Sequence, residues 1–238
     1  MHTMVKMVFG SHLYGLDTEN SDKDYRGIFV PTAKEIILGS MKEHYDQSTS
    51  GQGIKNTKDD IDVNMFSLKR FINLACKGDI GAIDMVHAPS NMLIESSREW
   101  EYIRTHRDKF YHVGMWGLSG YLKKQVAKAE KHFSNWKDLS HALRVGYQLL
   151  EIYQTGDLQF PLAQRDSILA CKLGERTFDN VREELREVYE RVKIAREEAK
   201  KNGMPEEPYV DFWKDLLEDI HLTVVLAHYT RGGVHPIS

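Results

Sequence analysis

The chain has 238 residues and a mass of 27.5 kDa, with 41% hydrophobic residues, which excludes global disorder and supplies one large core or two smaller ones. Thirty-two Lys and Arg nearly balance 35 Asp and Glu; the formal charge of -3 and pI near 6.4 exclude a whole-molecule cationic field and leave only local basic grooves for a polyanion. Mean hydropathy is -0.49, and charges interrupt every apolar run before the roughly 18 residues that a bilayer span needs, so no membrane helix is expected.

The first six residues carry neither the basic segment nor the apolar core of a signal peptide, which predicts a cytoplasmic protein. Residues 5–9 form a short apolar run ended by Gly10-Ser11, and residues 25–30 another, ended by Pro31; both have strand length and composition. Residues 47–58 are polar, rich in Gly and Ser and without period, so they read as a mobile loop. Ile61, Val63 and Met65 alternate with Asp60, Asp62 and Asn64, as in a strand with one buried and one wet face. Ser67 caps a helix predicted to run to Lys77, with Leu68, Phe71, Ile72 and Ala75 spaced by three and four and Gly78 following as its C-terminal cap. Beyond residue 110 the pattern becomes helical, over about 116–133, 138–155, 177–202 and 211–230, so a boundary is expected there. The third of these stretches is dense in charge, with pairs such as Glu187/Arg191, and reads as a solvated helix face. Cys76 and Cys171 form no metal-ligand spacing and are expected as reduced core thiols.

Chemistry concentrates in residues 10–27. A strand running into Gly10-Ser11 and then into a helix presents backbone N–H groups and a hydroxyl to an anion, with phosphate the natural guest. Asp22 and Asp24 flank Lys23 at a strand start, so both carboxylates face the same way. Two carboxylates on one face suit a hard divalent cation, magnesium rather than zinc. A two-metal displacement needs a third acid; Asp62 is the candidate, with Asp60 the alternative if the register slips. An EF-hand starting at Asp17 fails, because Asp22 would replace the turn glycine and Ile28 the bidentate Glu. Neither a Walker-type phosphate loop nor a GxGxxG turn is present. His12 reads as a packed neighbour of the Gly-Ser turn. His141 and Arg144 lie three apart on one helix face and could hold phosphate or an acceptor. Lys123, Lys124, Lys128 and Lys131 form a basic ridge, interleaved with Tyr121, Phe133 and Trp136, and are the best local candidate for a nucleic-acid backbone contact.

Gly10-Ser11, Ser21-Asp22-Lys-Asp24-Tyr-Arg26-Gly27 and the strand around Asp62 resemble the DNA polymerase β-type nucleotidyltransferase superfamily. Residues 9–15 and 62–78 resemble more closely the predicted nucleotidyltransferases of bacteria and phages, one branch of which is linked with RNA repair. The likeness covers the first hundred residues and continues more weakly through Ser140-His141-Ala-Leu-Arg144. It implies an α+β chain: a catalytic domain over 1–110, with a short mixed sheet flanked by helices, and an all-helical domain over 111–238 closing the cleft. It also implies transfer of a nucleoside monophosphate from a nucleoside triphosphate to an acceptor hydroxyl, with two magnesium ions, or manganese in their place. Asp22, Asp24 and Asp62 would be the catalytic metal ligands. Gly10, Ser11, Tyr14, Arg26, Lys124, His141 and Arg144 would form the nucleotide side of the site, with Lys124, Arg144 and His141 turned inward from the helical half. Acceptors include an RNA end, a protein or a small molecule, and a catalytically inactive binding module is the alternative reading. Oligomeric state is not indicated. The chain departs from the closer pattern at residues 79–86, where relatives tend to carry Asn-Pro and a Glu, which leaves the role of Asp84 open.

Overall fold

A computed structural model of the chain describes residues 2–48 and 61–232. Five strands, β1 (His2–Val8), β2 (Lys23–Val30), β3 (His44–Ser48), β4 (Ile61–Ser67) and β5 (Leu93–Ser96), form a mixed sheet in the order β3-β4-β2-β1-β5. Among and after them run α1 (Gly10–Leu13), α2 (Ala33–Leu38), α3 (Leu68–Cys76), α4 (Ile80–Val86), α5 (Arg98–Thr105), α6 (Trp116–Ala129), α7 (Trp136–Thr155), α8 (Arg165–Leu173), α9 (Phe178–Lys201) and α10 (Val210–Gly232). The chain is α+β. No described helix is long and apolar enough to cross a membrane. Most of the expected loop over 47–58, and the Asp60 alternative, lie outside the described residues.

The pairing of β2 with β4 positions the site. These strands are parallel and in register, with Asp24 opposite Asp62, and both are buried toward their C-terminal ends and open at their N-terminal ends. The acids therefore stand where the two strands emerge from the core. Ile61 is 38% exposed there, so the expected split into a buried and a wet face holds only from Met65 onward.

Local chemistry explains the elements around this pair. Thr32 and Glu35 make a reciprocal capping box on α2, which ends at Gly39 with φ 63°. Ser67 caps α3 by accepting from the Arg70 N–H, as expected, and Gly78 follows in the left-handed conformation, packed against the Met115 backbone. Asp79 caps α4 by accepting from the Ala82 N–H.

The hydrophobic core is continuous from β1 through α7 and α9. Trp213 of α10 is fully buried and stacks on Phe110 at 3.9 Å, while Phe110 and Trp100 both meet the Phe71 ring edge-on. Helix α10 thus returns from the helical half to pack on α2 and α3. Cys76 and Cys171 are unpaired, and burial pushes both thiols up to about 11.

Candidate active site

A cavity of about 810 Å³ opens where the N-terminal ends of β2 and β4 face α7. Asp22 and Asp24 line its acidic end, and one carboxylate oxygen from each of them and from Asp62 lies within 4.8 Å of the others. Asp22 and Asp24 share a side because they are two apart at a strand start, and the β2–β4 register brings Asp62 beside them. Burial, then repulsion from Asp22 and Asp62, raises the Asp24 pKa. The donors are carboxylate oxygens without nitrogen or sulfur, a set that fits magnesium or manganese and disfavours zinc. A cation here would relieve the repulsion that the three acids impose on one another.

The Gly10-Ser11 turn is built against this cluster. The Phe9 N–H donates to the Asp24 carbonyl at 2.8 Å. Gly10 has φ 62°, and a Cβ placed on it would collide with Asp24 Oδ2. Helix α1 is a single turn of four residues, so it adds little helix dipole; what the turn offers an anion is its backbone N–H groups and the Ser11 hydroxyl on the cavity wall. His12 lies outside the cavity lining, 3.5 Å from Asp17.

The other sequence-level candidates divide. Arg26 lines the cavity with its guanidinium 4.0 Å above the Phe9 ring, and a side chain on Gly81 would collide with it. Tyr14 and Arg144 line the cavity, yet the Tyr14 hydroxyl and Arg144 Nη1 are committed: both donate to Asp84 Oδ2, at 2.6 and 2.9 Å. His141 also lines it; burial, then the Arg144 charge, holds its pKa down at about 4, so the ring is neutral at pH 7. Its Nδ1 lies 3.1 Å from the Tyr121 hydroxyl. Lys124 is exposed on α6 and does not line the cavity. Elsewhere on that ridge, Lys128 is paired with Asp138, and Phe133 and Trp136 pack edge-on with a 4.9 Å separation.

Two lysines that sequence spacing did not single out face the acids instead. Lys137 lines the cavity one turn before His141, a helical spacing that could have found it. Lys172 lines it from α8, which carries no motif; its Nζ donates to the Leu16 carbonyl at 2.6 Å, and burial, then Lys137, lowers its pKa. Arg165, two turns earlier on α8, donates to the Gly15 carbonyl at 2.6 Å. Helix α8 therefore grips the loop between the Gly-Ser turn and Asp22. On the far side of the helical half, the acids of α9 are mostly exposed; Glu184 is an exception, accepting from Tyr147 at 2.6 Å and pairing with Arg176.

A family model described as RNA repair pathway DNA polymerase beta family matches residues 2–218. The chain is also similar to an uncharacterized 38.9 kDa protein from the nrdC-mobD intergenic region of Enterobacteria phage T4. The two are 31% identical over an alignment of 335 residues, spanning 96% of this chain and 100% of the phage protein.

Proposed function

The chain belongs to the RNA repair pathway DNA polymerase beta family, and on that premise we propose that it is a metal-dependent nucleotidyltransferase. It joins a nucleoside monophosphate to an acceptor hydroxyl and releases pyrophosphate. The observation that carries this reading is the convergence of Asp22, Asp24 and Asp62, the first two on the wall of a cavity whose other walls carry Arg26, Lys137 and Lys172. A nucleoside triphosphate needs both ends, cations along its phosphates and carboxylates at the reacting phosphorus.

Asp22, Asp24 and Asp62 would hold two magnesium ions, which when bound supply charge that makes the attacking hydroxyl more acidic and offsets the leaving pyrophosphate. Asp62 orients the acceptor hydroxyl. The Gly10-Ser11 turn receives the β- and γ-phosphates through backbone N–H groups and the Ser11 hydroxyl, because Gly10 lets the chain approach without a side chain. Lys137 and Lys172 supply positive charge from the helical half, the part that the sequence assigns to Lys124 and Arg144. His141, neutral at pH 7, offers hydrogen bonding without charge. We keep residue 110 as the proposed point where the catalytic segment passes into the helical one.

The acceptor is an RNA end in this reading, after the family's description. The test incubates the protein with each α-labelled triphosphate, magnesium, and separated cellular RNA, protein and metabolite fractions. Label in RNA with stoichiometric pyrophosphate supports the proposal, and label in protein or metabolites moves the acceptor. Stabilisation by ATP without magnesium, and no pyrophosphate from any mixture, would instead make the chain a binding module.

A further inference from the structure

Asp84 lies outside the metal cluster and is fully buried, a costly place for a carboxylate without compensation. Its compensation comes from two other elements. Oδ2 accepts the Tyr14 hydroxyl at 2.6 Å and Arg144 Nη1 at 2.9 Å, and Oδ1 accepts Gln148 Nε2 at 2.5 Å. Arg144 Nη1 also donates to Gln148 Oε1 at 3.1 Å, so Asp84, Arg144 and Gln148 close a hydrogen-bonded triangle. The Arg144 guanidinium lies 3.7 Å from the centre of the Tyr14 ring, whose edge contacts with Phe160 and Phe9 fix its remaining sides.

Tyr14 follows α1, three residues after Ser11; Asp84 belongs to α4, and Arg144 and Gln148 to α7. The phosphate-facing turn and the helical wall opposite it therefore meet at one carboxylate. We infer that Asp84 is a positioning residue: through the Tyr14 hydroxyl it fixes the Gly10-Ser11 turn against α7 and so sets the gap into which the triphosphate fits. This rests on the nucleotidyltransferase reading for its ligand, and on the hydrogen-bond network alone for its mechanics. It also assigns Arg144 to the network, with its charge neutralised by Asp84.

Tyr14→Phe removes one hydrogen bond and keeps the ring, its aromatic contacts and the Asp84–Arg144 pair. It should raise the KM for nucleoside triphosphate about tenfold, as expected for loss of a hydrogen bond to a charged acceptor. Turnover and the magnesium constant should stay within twofold. In the Asp84→Asn background the same substitution should raise KM only about threefold, because the asparagine oxygen still accepts the Tyr14 hydroxyl but carries no charge. A tenfold cost in both backgrounds, or a wild-type KM for Tyr14→Phe, overturns the inference.

Amide exchange of the two single variants gives a second arm that needs no nucleotide. Exchange over residues 11–16 should accelerate in Tyr14→Phe while α9 keeps wild-type protection. Unchanged exchange over 11–16 refutes the positioning role, even if Asp84→Asn proves too unstable to purify. If the wild-type protein turns over no nucleotide, the functional reading fails and the exchange arm still decides the role of Asp84.

Discussion

Gly10→Ala tests how closely the turn is fitted to the acid cluster. Two costs apply at this position: alanine at φ 62° is strained by about 1–2 kcal/mol, and its Cβ would collide with Asp24 Oδ2, an overpacking of about 1–3 kcal/mol if the carboxylate must rotate away. Together they come to about 2–5 kcal/mol, which for a chain of this size lowers Tm by about 4–20 °C. Gly39→Ala is the internal control. Its φ of 63° is nearly the same, but a Cβ there meets nothing within 4 Å, so only the strain applies and Tm should fall by about 2–8 °C. Differential scanning fluorimetry with and without magnesium separates the two. Gly39→Ala should keep the full magnesium-induced rise in Tm, whereas Gly10→Ala, with Asp24 displaced, should lose most of it. Equal Tm losses in the two variants, with equal magnesium responses, would refute the fit between turn and carboxylate.

Asp24→Asn should raise the Tm of the metal-free protein at pH 7, because Asp24's pKa is raised on folding and its charged form is therefore penalised there; it should also abolish the magnesium response, and both are read by the same thermal assay. His87 is buried and held at about 4, and its Nε2 pairs with the Tyr111 hydroxyl. Below about pH 6.5 the unfolded chain takes up a proton that this folded histidine refuses, so stability falls as pH drops toward 4, by at most about 1.4 kcal/mol per pH unit for this one group. Urea titrations of His87→Gln, which keeps an acceptor for Tyr111, should show an acid limb shallower by one proton; an unchanged limb would remove His87 from the account. Trp213→Ala should cost about 3–5 kcal/mol in chemical denaturation, and a loss below about 1 kcal/mol would mean that α10 is not part of the core around Phe110.

Much of this architecture is legible in the sequence where the pattern is long or strongly punctuated. The runs around β1, β2 and β4, the capped helix α3 and the four long helices all carry periodicity over enough residues to declare themselves. The short pieces do not. Strand β3 reads His-Tyr-Asp-Gln-Ser, a polar edge without alternation, and β5 has only four residues. Helix α2 did carry a signal, the Thr32/Glu35 spacing followed by Gly39, but its six residues hold no full amphipathic repeat. Asp22, Asp24 and Asp62 could be paired from strand phase, because the parallel register of β2 and β4 preserves that phase across the sheet. Lys172 and Asp84 could not, since their meaning comes from contacts across a long stretch of chain. Lys172 reaches Leu16, and Asp84 turns Arg144 from a free cation into half of a buried pair.

The central claim, that three acids hold the metal for nucleotidyl transfer, is tested most directly by pyrophosphate release. Wild type, Asp62→Asn and the double variant Asp22→Asn/Asp24→Asn are assayed with each nucleoside triphosphate and an RNA acceptor, with magnesium and after its removal by chelation. The account predicts release by wild type only when magnesium is present, and release lowered by at least about a thousandfold in both variants, with cooperative thermal unfolding retained. Pyrophosphate released at the wild-type rate by the double variant, or by chelated wild type, would contradict it.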